Sequence, residues 1–579
     1  MLEFAAHAGY EPGTNLRGEQ AEIGWLFLLP RLDLGRVVLV GLPPVGTVLG
    51  LAAVAGDVLV TCASRAELER ARRIAAERSL ANVRAAIRAG DDPDRPAADL
   101  VYVTARELGR LARSERSLGA LGDGLAAGAA IYLEPAPRAV EVAERIGARV
   151  AVVIGPAGSA PPDDASVEQP AAWLLPAERN LHAGWTGRAL SAARSAAPRA
   201  RWAGPALTAA RRSVARGGGD RRASAITGSL GLARVTGPPL SASTGGPAGV
   251  LAMTRTPPPQ RAPDYLLAAA RTAGFPLDDR PWGLAPPRGY RSQKVIFLLG
   301  DTTVVKLTQD PRFNPRLDNE FHTLRRLEER GLGGAVAAPR ALFRDEHARL
   351  SIVGETRLAG QPFRERSTAR PDCPVAAAAL TAIADLGAAS AATDGTDRRV
   401  FADLLARYVE IYRPGAAHER MLAAAVAALT DGNAELPAVF LHGDPTTLNL
   451  LVAGDRTIGM VDWENAEPAG PPLWDLLYFL HSYSGWAAGT RGQRHTPAAV
   501  CRDLLDPAGF GGLPVRAVEA YRRRLDLPPE LVAPLFCTCW MYLALRQARQ
   551  LAPAALDRGF YARVLAQLAA GDRRWPWRS

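Results

Sequence analysis

Leu441-His442-Gly443-Asp444-Pro445-Thr446-Thr447-Leu448-Asn449 places an acid and, five residues on, an amide in one short stretch, and Asp462-Trp463-Glu464 follows at the end of an apolar run. The flanking pattern sets their backbone. Ala438-Val439-Phe440-Leu441 is a short apolar strand, Leu448 to Val452 a second, and Thr457 to Val461 a third. The turn Ala453-Gly454-Asp455-Arg456 between the last two predicts a hairpin. Asp444 then lies on the loop before the hairpin and Asp462 just beyond its second strand.

The chemistry that uses such a set is phosphoryl transfer, which asks for a nucleophile held in line and for phosphate charge neutralised by metal and basic groups. One carboxylate meets the substrate hydroxyl, while a second carboxylate and a neutral oxygen hold hard Mg²⁺ ions. Asp444, Asp462 and Asn449 suit these three tasks. A lone Asp in a loop is usually a turn or cap residue, so it is the ordered set that carries the reading. On these residues the chain resembles the aminoglycoside phosphotransferase and choline kinase family, a branch of the protein-kinase-like fold. The resemblance implies Asp444 as the residue that accepts or orients the hydroxyl proton, with Asn449 and Asp462 as metal ligands. It also implies ATP and Mg²⁺ as cofactors, with a small-molecule hydroxyl as acceptor. Glu464 is given no direct role, and Asp475 in Leu473-Trp474-Asp475-Leu476 is read as a structural acid at a helix start.

An upstream lysine completes the set. Of 69 Lys and Arg residues only two are lysine, Lys294 and Lys306. Arginine is not a substitute where a compact ammonium on a flexible stem must reach between phosphates. Lys306 ends the β-branched run Thr302-Thr303-Val304-Val305-Lys306, a strand, and resembles the nucleotide-binding lysine of a kinase small lobe. Glu320 opens the helical pattern Glu320-Phe321-His322-Thr323-Leu324 and is its expected ion-pair partner. Lys294 belongs either to a turn covering the phosphates or to the surface without a role, because neither GxGxxG nor a Walker A loop is present there. Leu350 to Glu355 reads as a strand leading to a hinge, and Ala-rich helices occupy about 376 to 430.

At 579 residues more than one domain is expected. The kinase resemblance covers 263–579, with a small lobe at about 263–360 and a large lobe at about 361–579. Residues 1–155 alternate apolar runs with helical segments: Arg36 to Gly41, Asp57 to Thr61, a helix from about Arg65 to Ser79, and Asp99 to Val103. That alternation predicts an α/β domain with a parallel sheet, and its order resembles the Rossmann-like fold of S-adenosylmethionine-dependent methyltransferases. It departs from them at the binding turn. Gly41-Leu42-Pro43-Pro44-Val45-Gly46 carries two prolines that stiffen it and remove amide donors, and Thr61-Cys62-Ala63-Ser64 lacks the acid that would hold a ribose. A degenerate or repurposed domain is the expectation.

Residues 156–262, rich in Pro, Gly, Ala, Ser and Arg, read as a linker. Its arginines supply much of the net charge of +10. Without interleaved aromatics they predict a solvated segment rather than a specific nucleic-acid site. The five cysteines are scattered, Cys537 and Cys539 within an apolar helical run, so core packing is expected rather than a disulfide framework. No signal peptide and no run of eighteen apolar residues is evident, so a cytoplasmic protein without a membrane span is expected. Two functions follow: an ATP- and Mg²⁺-dependent small-molecule O-kinase, or a binding or scaffold protein whose two folds have lost turnover. Retention of Lys306, Glu320, Asp444, Asn449 and Asp462 together favours the kinase.

Overall fold

A computed structural model describes residues 31–87, 98–111, 125–134, 149–154, 249–253, 262–277, 282–284, 294–392, 395–431, 435–454, 456–549 and 553–571, with a few isolated positions besides. The front of the chain forms one seven-stranded sheet. Its strands are β1 (Leu34–Val40), β2 (Ala55–Cys62), β3 (Val83–Ile87), β4 (Ala98–Val103), β5 (Leu125–Leu133), β6 (Arg149–Ile154) and β7 (Gly249–Met253), in the order β3-β2-β1-β4-β5-β7-β6. Strands β1 to β5 pair in parallel, while β7 runs antiparallel to both β5 and β6. Continuous apolar runs such as Val37-Val38-Leu39-Val40 are what a doubly covered parallel sheet requires. The helix Arg65–Glu77 opens on Ser64, whose side chain accepts the Glu67 N–H.

The linker reading needs correcting at its far end. Gly249–Met253 lies inside 156–262, yet it is a strand of the front sheet, seated between β5 and β6. Five residues suffice for a strand when two neighbours offer ladders, and so short a run is hard to see beside the glycines and prolines around it.

The rear begins with a five-stranded antiparallel sheet: β8 (Trp282–Leu284), β9 (Lys294–Leu299), β10 (Thr303–Thr308), β11 (Ala341–His347) and β12 (Leu350–Thr356), in the order β11-β12-β10-β9-β8. The helix Asn314–Glu329 enters through Pro315 in its first turn. Its buried stripe of Leu317, Glu320, Leu324 and Leu327 has helical spacing. One member of that stripe is a carboxylate, which places a charge where a leucine would ordinarily sit.

A larger helical lobe follows. It carries β13 (Gln361–Pro362), β14 (Val439–Leu441), the hairpin β15 (Leu450–Val452) with β16 (Ile458–Met460), and β17 (Glu467–Gly470). The helices Pro374–Ser390, Arg399–Tyr412, Ala416–Thr430, Trp474–Thr490 and Val532–Ala548 surround its core. The run Pro529–Ala548 is long and apolar enough to cross a membrane, but it lies mostly buried in this core, with Cys537 and Cys539 both inside.

The front sheet and the small lobe share one continuous apolar core. Leu39, Val48 and Leu51 belong to the same buried cluster as Tyr265, Leu266, Phe297, Val305, Phe343 and Ile352. Polar contacts stitch the same boundary: Tyr265 donates to the Phe27 carbonyl at 2.6 Å, and Arg349 Nη2 donates to the Ala53 carbonyl at 2.6 Å.

Candidate active site

β10 delivers Lys306 and the helix Asn314–Glu329 delivers Glu320, and the two meet in the interior. Lys306 Nζ lies 2.6 Å from Glu320 Oε1 and 2.8 Å from Glu355 Oε1, with all three side chains buried. Burial opposes the Lys306 charge, but the two glutamates hold its pKa above the usual lysine value. Glu355 is the less settled partner. Burial pushes its carboxyl up to about 7, against the pull of Lys306, and its Oε2 makes no hydrogen bond among the described residues.

Glu320 also faces the large lobe. Its Oε1 accepts the Trp463 N–H at 3.0 Å, and Asn319 Nδ2 donates to the Glu464 and Ala466 carbonyls at 3.2 and 3.1 Å. The small-lobe helix is thereby tied to the segment carrying Asp462. Asp462 itself has φ +74°, a left-handed conformation a non-glycine residue adopts at some cost.

Lys294 joins these groups. Its ammonium is hydrogen-bonded to Asp462 Oδ1 and lies 3.0 Å from Glu464 Oε2 and 3.2 Å from Glu320 Oε2. Only 8% of the residue is exposed. The surface alternative for Lys294 is therefore excluded, and Glu464 belongs in the same contact. Burial works against the Lys294 charge, yet Asp462, Glu320 and Glu464 together hold its pKa well above the ordinary value. Each of two signals was present in the sequence, the scarcity of lysine and the placement of Glu464 two residues past Asp462, but neither says where a side chain goes.

Asp444 stands across the cleft on a loop held from several sides. Asp475 accepts the His442 N–H at 2.6 Å and the Gly443 N–H at 3.0 Å, so this acid shapes the loop. The Asp444 N–H donates to His442 Nδ1 at 3.2 Å, which leaves His442 Nε2 as the protonated nitrogen donating to the Val461 carbonyl at 3.1 Å. Burial pushes His442 down to about 4, consistent with a neutral ring. Gly443 sits at φ +75°, and a Cβ there would lie 2.0 Å from the Asn465 carbonyl oxygen, so only glycine lets the loop approach so closely.

Asn449 Nδ2 donates to the Asp444 carbonyl at 2.9 Å, and the Asn449 carbonyl accepts the Val461 N–H at 3.0 Å. The amide is oriented with its nitrogen committed to Asp444 and its acceptor oxygen outside that bond. Burial pushes the Asp444 carboxyl up to about 6, with Arg546 pulling the other way and Asp462 and Glu464 adding to the rise. Its Oδ1 is buried and makes no hydrogen bond among the described residues, an unspent acceptor suited to a hydroxyl proton. Arg546, whose Nη2 lies 3.9 Å from Asp444 Oδ2, donates to the Gly443 carbonyl and stacks over Tyr478 and Tyr542. In the sequence an arginine in the last turn of an apolar helix reads only as a helix end.

The donor chemistry around Lys294 suits a hard divalent cation, which takes carboxylate and amide oxygens. Carboxylates of Asp462, Glu464 and Glu320 converge on one ammonium, which stands where such a cation's charge would be neutralised. Among the described residues no three acidic, histidine or cysteine side chains are gathered tightly enough to hold a metal as they stand.

A cavity of about 540 Å³ opens nearby, lined by Arg364, His481, Ser482, Gly485, Trp486, Gly489, Thr490 and His495. Ser482 Oγ accepts the Thr447 N–H at 3.1 Å, so the cavity wall also supports the loop that carries Asp444.

Residues 283–510 match the family model described as the phosphotransferase enzyme family. Solved structures similar to this chain include the GDP complex of aminoglycoside 2′-phosphotransferase-IIIa. That likeness is at 15% identity, over 53% of this chain and 98% of the other, with a TM-score of 0.35. Another is a thermostable mutant of the aminoglycoside phosphotransferase APH(4)-Ia with ADP and hygromycin B, at 13% identity over 52% and 97% of the two chains and a TM-score of 0.33. A third is APH(3'')-Id from Streptomyces rimosus, at 16% identity over 48% and 97%, with a TM-score of 0.29. A search of the curated proteins found no match.

Proposed function

With the rear of the chain matching the phosphotransferase enzyme family across residues 283–510, we propose that it is an ATP- and Mg²⁺-dependent phosphotransferase acting on a hydroxyl of a small molecule. The observation that carries this reading is connectivity. Lys306 binds Glu320, Glu320 binds the Trp463 N–H beside Asp462, Val461 binds Asn449, and Asn449 binds the Asp444 carbonyl. Five residues spread from 306 to 462 thus share one bonded network across two lobes. Lys306, steadied by Glu320, holds the donor's phosphates. Asp462 and Asn449 are the residues that would hold Mg²⁺, whose charge when bound neutralises the phosphates. Asp444 orients the acceptor hydroxyl and takes its proton.

Acceptor chemistry is suggested by the cavity. Tyr478, which faces Asp444, shares a helix face with Ser482, Gly485 and Gly489 by their spacing along Trp474–Thr490. The cavity therefore lies along the helix face that Tyr478 begins, its Ser482 bonded to the catalytic loop at Thr447. Its described lining holds rings and the Arg364 guanidinium and no carboxylate. A polycation of the aminoglycoside kind finds no counter-charge there, so a neutral or anionic hydroxyl compound is the better fit. In a phosphate-transfer screen against hydroxyl-bearing compounds, Asp444→Asn should lower turnover about 10²- to 10⁴-fold while leaving Mg²⁺-dependent nucleotide binding in place. Loss of binding in parallel, or unchanged turnover, contradicts the role given to Asp444.

For the front domain, we infer a methyltransferase-like fold that has lost its ligand. Its strand order, with the switch between β1 and β4, supports the fold. Protein atoms occupy the crevice where a cofactor would sit: Glu67 accepts the Leu42 N–H at 2.9 Å and the Ala63 N–H at 2.7 Å, taking amides from the loops after β1 and β2. A Cβ on Gly41 would meet Thr104 Oγ1 at 2.4 Å, so this glycine accommodates a neighbouring side chain rather than a ligand. Calorimetry with S-adenosylmethionine should be silent, and micromolar binding would overturn the inference.

A further inference from the structure

Both lysines of a chain with 69 basic residues are buried at one site and share one glutamate. Their surroundings differ. Lys306 is held between Glu320 and Glu355, whereas Lys294 reaches from the first residue of β9 to Asp462 and Glu464 on the opposite lobe. An ammonium is a compact point charge on a four-carbon stem, while arginine is a rigid fork suited to a fixed bidentate partner. Wherever a cation is needed elsewhere this chain uses arginine, so the two lysines mark positions that need the smaller and more mobile head.

We propose that Lys294 is a tethered counter-ion of the nucleotide site: without nucleotide its ammonium neutralises Asp462, the carboxylate that would hold a divalent cation, together with Glu464 and Glu320, and it passes to the phosphates when a metal–nucleotide complex enters. The proposal rests on the phosphotransferase reading of the cleft. Glu320, Glu355, Asp462 and Glu464 bring four carboxylates to the two ammoniums. Buried or half-buried carboxylates left without a cation are strongly destabilising, so the empty cleft needs Lys294 inside. A bare divalent cation must displace that internal ammonium, and its affinity falls by the fraction of molecules in which the ammonium is out. An incoming polyphosphate offers the displaced ammonium a new partner. Cation and nucleotide therefore bind with mutual reinforcement, and the cleft is not held open by a stray metal.

The test is Mn²⁺ binding to the full chain without nucleotide, read by electron paramagnetic resonance, with ADP binding in chelator read by calorimetry. Lys294→Met should bind Mn²⁺ about tenfold tighter than the parent protein and metal-free ADP about tenfold weaker, within the usual span of coupling between sites. Lys294→Arg, which keeps the charge but not the mobile head, should hold Mn²⁺ affinity near the parent's while binding metal-free ADP more weakly than the parent. Should Lys294→Met fail to fold, Lys294→Gln carries the same comparison. Unchanged Mn²⁺ affinity in the neutral variant, with the parent binding Mn–ADP normally, refutes the counter-ion role alone. A parent protein that does not bind Mn–ADP at all removes the phosphotransferase reading and this inference with it.

Discussion

The protonation of Asp444, the base in the proposed reaction, is set by where it sits. Burial raises its carboxyl to about 6, and only the unprotonated form accepts the acceptor's proton. Measured kcat/KM should therefore climb about tenfold per pH unit up to about 6 and level off above it, and a profile flat between pH 5 and 7 would remove Asp444 from the proton's path. Stability should run the other way. Asp444 and Asp475, raised to about 6 and about 7, keep their protons to higher pH folded than unfolded. Their contribution is full below the ordinary carboxylate range and lost as pH rises through about 6 and 7. The loop thus gives up stability at neutral pH to keep these two carboxyls buried, with Asp475 holding the two amides that keep it in shape.

Among the elements, the helix Asn314–Glu329 carries the greatest burden. Its buried stripe packs Leu317, Thr323, Leu324 and Leu327 and gives one further place to Glu320, which compensates Lys306 and Lys294 at once. Glu320→Gln keeps size and shape but leaves two buried ammoniums short of a partner. A loss of about 3–5 kcal/mol in denaturant unfolding follows from breaking buried ion pairs on one side, and nucleotide affinity should fall with it. A change below 1 kcal/mol would mean that Glu355, Asp462 and Glu464 already suffice.

At the scale of the whole molecule, the shared core makes the front sheet and the small lobe one mechanical unit. Tyr265 stacks on His347 at 5.1 Å while donating to Phe27, so the segment entering the small lobe is fastened on both sides. A ligand that binds only the folded form adds about 2.7 kcal/mol at a hundred times its Kd. Mg–ADP should consequently slow amide hydrogen exchange in β1 and β4 as well as in β10. Protection confined to the rear would show that the two regions unfold independently despite their common core.

Sequence alone determined what depends on residue type and local spacing: the hairpin just before Asp462, the strand that carries Lys306 although it runs on to Thr308, the alternating strands and helices of the front, and the two prolines after β1. Those signals are local, since side-chain periodicity and turn chemistry are written over a few neighbouring residues. Tertiary structure decided which distant groups meet. Lys294 and Asp462 are 168 residues apart in the chain yet share a hydrogen bond, Arg546 reaches the Gly443 carbonyl from the other end of the lobe, and Gly249–Met253 completes a sheet begun at Leu34. No local pattern encodes those meetings, because long-range pairing is selected by burial and charge compensation summed over the whole fold.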